Sequence, residues 1–164
     1  MKILFLDHQG VIYLEKAIWP VGKPILLNFD QGAVSILNEI IREVDCEIVV
    51  SSDWKTWVDL PTMKSFYIKQ GIIKPPIGYT TTTNIKDLDD IAYLRAKEIS
   101  EWLDSADNIT SWVAIDDLDM RKHLSNFVWI EDAEKGILAE GIKKSVVDHL
   151  NVGLNTTGYP HLKL

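Results

Sequence analysis

The chain has 164 residues, 46% hydrophobic and 25% charged. That length and balance predict one globular domain over residues 1–164 with a substantial core, and exclude a fibrous or disordered chain. The net charge of −7 argues against a broad nucleic-acid coat, which needs a positive footprint, but leaves room for a small local basic pocket.

The first element is an apolar run, Ile3-Leu4-Phe5-Leu6, that stops at Asp7. It is too short for a signal-peptide core, and no run in the chain approaches the ~18–20 residues of a membrane span. A continuous run of this kind reads as a strand buried on both faces. Asp7-His8-Gln9-Gly10 follows and admits two readings. Asp7 caps a strand-to-loop turn, with Gly10 supplying an unusual backbone angle. Alternatively, Asp7 is a carboxylate nucleophile or metal ligand at the sheet edge.

The stretch from Tyr13 to Cys46 has room for one hairpin and one helix, not for a cap domain. The helix is predicted over Gly32 to Val44, where Val34, Leu37, Ile40 and Ile41 fall mostly three or four apart. Cys46 is the only cysteine, so an intrachain disulfide and a cysteine-rich zinc site are excluded, and a reducing, cytoplasmic setting fits.

A second strand, Glu47-Ile48-Val49-Val50, ends at Ser51-Ser52-Asp53. This segment reads either as a helix N-cap at Ser52 or Asp53 or, through its hydroxyls, as a phosphate-oxygen site. From Trp54 to Asp90 the periods fade and prolines and glycines appear, which predicts an irregular insertion with a short helix near Met63–Gln70. Its aromatics (Trp54, Trp57, Phe66, Tyr67 and Tyr79) form a mini-core or stack a base, the mini-core being the favoured reading. Lys55 and Lys74 in this stretch are candidate cations.

A helix is predicted over Ile91 to Leu103, carrying Arg95 and Lys97. The strand Trp112-Val113-Ala114-Ile115 then ends at Asp116-Asp117-Leu118-Asp119. Adjacent carboxylates repel one another, so such a cluster reads as a Mg²⁺ site as readily as a solvated helix cap. A short helix at Met120–Leu124, a strand Phe127-Val128-Trp129-Ile130 and a helix over Gly141 to Leu150 complete the chain.

Strands alternating with helices predict an α/β three-layer sandwich with a central, mostly parallel sheet. In such sheets ligands bind at the carboxyl ends of the strands. Asp7, Ser51 or Ser52, and Asp116 with Asp117 all follow strand ends, so they are expected to converge on one patch.

At these points the sequence resembles the haloacid dehalogenase (HAD) superfamily of phosphatases. Phe5-Leu6-Asp7-His8-Gln9-Gly10-Val11-Ile12 is similar to its first motif, a strand followed by Asp-x-Asp-Gly. Ile48-Val49-Val50-Ser51-Ser52 is similar to the second motif, and Val113-Ala114-Ile115-Asp116-Asp117 to the acidic fourth. Ser51-Ser52-x-Trp54-Lys55 and Arg95-x-x-Glu98-Ile99-x-x-Trp102-Leu103 resemble, more narrowly, the compact HAD domains associated with RNA repair systems. The resemblance covers roughly residues 2–150. It implies a Rossmann-like fold with little or no cap and a Mg²⁺-dependent phosphohydrolase. Asp7 would be the nucleophile that forms an aspartyl-phosphate. Mg²⁺ would bind Asp7, the Gln9 carbonyl, Asp117 and Asp116. Ser51, or Ser52 in the other register, would hold the phosphoryl group together with Arg95 or, second, Lys97. Lys55 and Gly10 would help bind the substrate.

One position departs from the family. The phosphatases carry a general acid–base Asp two residues after the nucleophile, and here that residue is Gln9, which cannot exchange a proton near neutral pH. Such help is worth ~10²–10⁴-fold. Three accounts follow. His8 substitutes in part. The leaving group needs no acid. Or the domain binds a phosphate or nucleotide without turning it over. An open site also suits a macromolecular substrate, such as a nucleic-acid end or a phosphoprotein, and the aromatic insertion suits a docked partner. The sequence fixes no oligomeric state.

Overall fold

The strands form because their apolar runs are covered on both faces. In the computed structural model, which describes residues 1–14, 26–82 and 90–153, the elements run β1 (Lys2–Leu6), α1 (Gln31–Val44), β2 (Cys46–Val50), α2 (Leu60–Lys69), β3 (Gly78–Tyr79), α3 (Ile91–Ser105), β4 (Ser111–Asp116), β5 (Phe127–Trp129) and α4 (Ile142–Asn151). The described strands form one all-parallel sheet in the order β3-β2-β1-β4-β5. This is an α/β, Rossmann-like architecture of three layers.

Residue parity sorts the core. Leu4, Leu6, Ile48, Val50, Val113 and Ile115 pack with α1, α2 and α4 on one face. Ile3, Phe5, Val49, Trp112 and Ala114 pack against α3 on the other, with Ile99 and Leu103. Both faces of β1 are therefore fully buried, which is why the run reads without alternation.

The helices begin at side-chain caps. Asp30, Asp59 and Asp90 accept from the backbone N–H of Ala33, Thr62 and Tyr93 at the starts of α1, α2 and α3. The segment from Trp54 onward, expected to be an irregular insertion, carries the crossover β2–α2–β3. Pro61 sits in the first turn of α2, where a missing N–H costs nothing. Residues 83–89, the end of that insertion, lie outside the described residues, as do residues 15–25, where the hairpin was expected. Met120 to Leu124 is a single turn, with His123 and Leu124 N–H groups both donating to the Met120 carbonyl. One turn cannot recover the cost of helix nucleation.

The chain moves outward from β1 to β2 and β3, then returns through α3 to β4 on the other side of β1. The strand order thus reverses between β1 and β4, and a crevice opens at their carboxyl ends. Leu6 pairs with both Val50 and Ile115. The next residues of the three strands, Asp7, Ser51 and Asp116, consequently stand in one row.

Candidate active site

Parity also decides what this row faces. Leu6, Val50 and Ile115 belong to the α1 side, so the residues after them turn toward α3, where Arg95 waits. Arg95 Nη1 donates to Asp116 Oδ2 at 2.9 Å and lies 3.3 Å from Asp7 Oδ1, while Nη2 donates to Asp53 Oδ1 at 2.9 Å. Asp7 and Asp116 are buried. Asp116 Oδ1 also accepts from the Leu118 N–H at 2.8 Å. A cavity of about 220 Å³ opens over this group and is lined by Asp7, Gln9, Ser52, Asp53, Arg95 and Asp117, among others.

Asp7, Asp116 and Asp117 each offer a carboxylate oxygen, and these oxygens lie within 4.8 Å of one another. Crowding and burial tell on their acidity. Burial pushes Asp7 up to about 6, against the opposing pull of Arg95 and a hydrogen bond from the Ser52 side chain. Burial, then the Asp7 charge, holds Asp116 well above the ordinary carboxylate range. Burial also raises Asp117. Burial works against the Arg95 charge too, but Asp116, Asp7, Asp53 and Glu98 together keep it protonated. One guanidinium faces three carboxylates directly, those of Asp7, Asp53 and Asp116.

Three carboxylate oxygens this close, with too little positive charge beside them, could hold a metal ion. Gly10 makes room for the Asp117 carboxylate. Its φ is +69°, and a Cβ there would fall 2.3 Å from Asp117 Oδ2. Trp129 at the end of β5 donates its indole N–H to the Asp117 carbonyl at 3.0 Å and steadies the loop. Asp119 does not join the cluster; its carboxylate pairs with Arg121 at 2.7 Å.

The remaining candidates separate. Ser52 lines the cavity and bonds Asp7, whereas Ser51 is fully buried, its hydroxyl without a hydrogen-bond partner among the described residues. Of the two expected registers, the second thus brings its hydroxyl to the cavity, because the chain turns into the short 3-10 helix Asp53–Thr56 right after Ser52. Arg95 reaches the carboxylates, while Lys97 is partly exposed and 3.8 Å from Glu101.

Lys55 was expected to meet substrate. It is instead a buried internal clamp, its ammonium bonded to Glu98, to Thr80 Oγ1 at 2.8 Å and to the Thr81 carbonyl at 2.8 Å. Lys74 pairs with Asp45 and Glu47 at the start of β2, the end opposite the cavity residues Ser52 and Asp53.

His8 follows Asp7 and so turns to the opposite face. Its ring is fully buried among Phe29, Trp54 and Tyr67, with Nε2 sharing a 2.7 Å hydrogen bond with the Tyr67 hydroxyl. Burial, then Arg95, lowers its pKa to about 3. It is neutral and outside the cavity lining, so it does not stand in for the missing acid. Most of the aromatics from Trp54 onward are likewise a mini-core, with Trp54 and Tyr67 almost wholly buried.

Asp53 is the cavity residue that sequence reasoning passed over as a cap. Its one signal was its place directly after Ser51-Ser52 at a strand end. No described helix is long and apolar enough to cross a membrane.

Comparison with known proteins agrees with this geometry. Residues 3–157 match the family described as the HAD domain in Swiss Army Knife RNA repair proteins. No curated protein and no solved structure matches the chain. A match over nearly the whole sequence, on a Rossmann-like sheet with an acidic cluster at its switch point, means that the chain belongs to this family of HAD domains.

Proposed function

We propose that the protein is a Mg²⁺-dependent phosphohydrolase that forms an aspartyl-phosphate at Asp7. The observation that carries this is the position of Asp7: at the cavity floor, within 4.8 Å of the Asp116 and Asp117 oxygens and 3.3 Å from Arg95. Asp7, Asp116 and Asp117 would hold the cation, with Gln9 beside them. When bound, Mg²⁺ would neutralise the carboxylates and draw charge from the transferring phosphoryl group.

The chain's own residues do the rest. Arg95 and the Ser52 hydroxyl bind and orient phosphoryl oxygens at the cavity wall. An Asp7 oxygen attacks phosphorus in line, and the leaving group departs with its bonding electrons. Neither Gln9 nor His8 protonates it. The substrate is therefore a phosphate carried on an acidic leaving group, such as a phosphoanhydride or an aryl phosphate. Membership of a family found in RNA repair proteins favours a phosphoanhydride on a nucleotide or on a nucleic-acid end as that substrate. The lone buried cysteine suits work in the reducing cytoplasm.

Phosphate release from p-nitrophenyl phosphate and from nucleotides with Mg²⁺ tests this reading. Activity is expected on the aryl phosphate first and is expected to vanish in Asp7→Asn. Equal rates in the two proteins would refute it.

Gln9 favours a second reading, a module that binds a phosphorylated ligand without turnover. Tight Mg²⁺-dependent phosphate binding with no covalent adduct would support that alternative.

A further inference from the structure

An aspartyl-phosphate must be hydrolysed before the enzyme can turn over, and the attacking water must lose a proton. The usual acceptor is missing, because Gln9 carries an amide. His8 lies on the other face of the sheet edge, bonded to Tyr67. Within the cavity, Ser52 and Arg95 are hydrogen-bond donors to the phosphoryl group. Trp54, Ile91 and Leu118 offer no basic side-chain atom. Asp116 and Asp117 belong to the acidic cluster, and Asp7 is phosphorylated at that stage.

Among the described residues, one cavity carboxylate is left over. Resting on the function proposed above, we infer that Asp53 is the general base that hydrolyses phosphorylated Asp7, in place of the acid–base residue absent at Gln9. Its placement carries the inference. A single guanidinium holds both partners: Arg95 Nη2 binds Asp53 Oδ1 at 2.9 Å, while Nη1 lies 3.3 Å from Asp7 Oδ1. Asp7 lies at the buried floor, whereas the Asp53 side chain is 81% exposed at the rim. The Asp53 carboxylate is thus open to water in the cavity that Asp7 also lines.

The step balances without any further reactant. A water proton moves to Asp53 as the water oxygen bonds to phosphorus. The bond between phosphorus and the Asp7 oxygen breaks, and its electron pair returns to the Asp7 carboxylate. Phosphate leaves, and the exposed Asp53 carboxyl releases its proton to bulk solvent.

Rapid-mixing kinetics with p-nitrophenyl phosphate and Mg²⁺, read together with intact mass, test the assignment. Asp53→Asn is expected to release a burst of about one p-nitrophenol per enzyme. Its steady rate is then expected to fall about 10²–10⁴-fold as a phosphoryl adduct accumulates on Asp7. Adding Gln9→Asp to that variant is expected to restore the steady rate by returning a carboxylate to the cavity. An unchanged steady rate in Asp53→Asn overturns the inference. So does an equal loss of burst and steady rate without adduct, which would mean that Asp53 only seats Arg95. Asp7→Asn keeps the two readings apart. No burst and no adduct there is the expected result, whereas a burst there, or no turnover in the unmodified protein, removes the phosphohydrolase itself and the base with it.

Discussion

Two buried charge clusters share helix α3, one turn apart. Around Glu98, a carboxylate meets the Lys55 ammonium, and the remaining ammonium protons go to Thr80 and the Thr81 carbonyl. Around Arg95, one guanidinium faces Asp7, Asp53 and Asp116, with Asp117 in the same cavity. The first cluster balances its charges and clamps the turn after β2 to α3. The second leaves carboxylates crowded, with their pKa values raised by burial. A fold does not need such an excess, and a site that binds a cation and a phosphoryl group does. The difference separates architecture from function more sharply than burial alone, since Arg95 and Glu98 are equally hidden at 8% exposure each.

Breaking the balanced cluster should cost most in stability. Lys55→Met strands a buried carboxylate, and the loss should be about 3–5 kcal/mol by urea denaturation. Pairing it with Glu98→Leu should recover most of that loss, because two apolar groups replace two charges. A negligible cost for the single variant would show that the pair is not a clamp.

The unbalanced cluster should behave in the opposite way, gaining stability when a cation arrives. The Asp7 carboxyl is held at about 6 in the fold against an ordinary 3.8. Its folded-state preference is for the protonated form. That contribution is fully present below the unfolded value and is lost as pH rises through about 6, a swing of about 3 kcal/mol in the metal-free protein. Mg²⁺ favours the carboxylate and should offset the loss. The Mg²⁺-induced rise in Tm should therefore be larger at about pH 7 than at about pH 5. An equal rise at both would mean that Asp7 does not bind the ion.

A smaller effect should follow from Trp129→Phe, which removes the donor to the Asp117 carbonyl. Groups that orient a ligand without touching the metal typically contribute ~10–100-fold in affinity. Titration calorimetry with Mg²⁺ should show a weakening in that range with little change in the fold. Unchanged affinity would detach Trp129 from the site.

The sequence makes most of this architecture legible. The runs ending at Asp7, Ser51 and Asp116 mark three adjacent strands, because burial on both faces removes any alternation. The strand β3 is invisible, since Gly78–Tyr79 is two residues long and carries no period. The helix α2 starts earlier than its apolar residues suggest, because Asp59 and Pro61 set its beginning. At the site, the three clustered carboxylates are legible as strand-end residues. Lys55 and Asp53 are not: a short 3-10 turn points one inward and the other toward the rim, and no periodicity reports that. Arg95 and Glu98, three residues apart on one face of α3, share a spacing that sequence alone leaves ambiguous between surface and core.

The most direct measurement is a crystal structure of the protein grown with Mg²⁺ and beryllium fluoride, which mimics a phosphoryl group on a carboxylate. The expected result is beryllium bonded to an Asp7 oxygen, its fluorides beside Ser52 and Arg95, with Mg²⁺ among Asp7, Asp116 and Asp117. Both ions bound elsewhere, or an Asp7 carboxylate still free with its three neighbours unmoved, would contradict it.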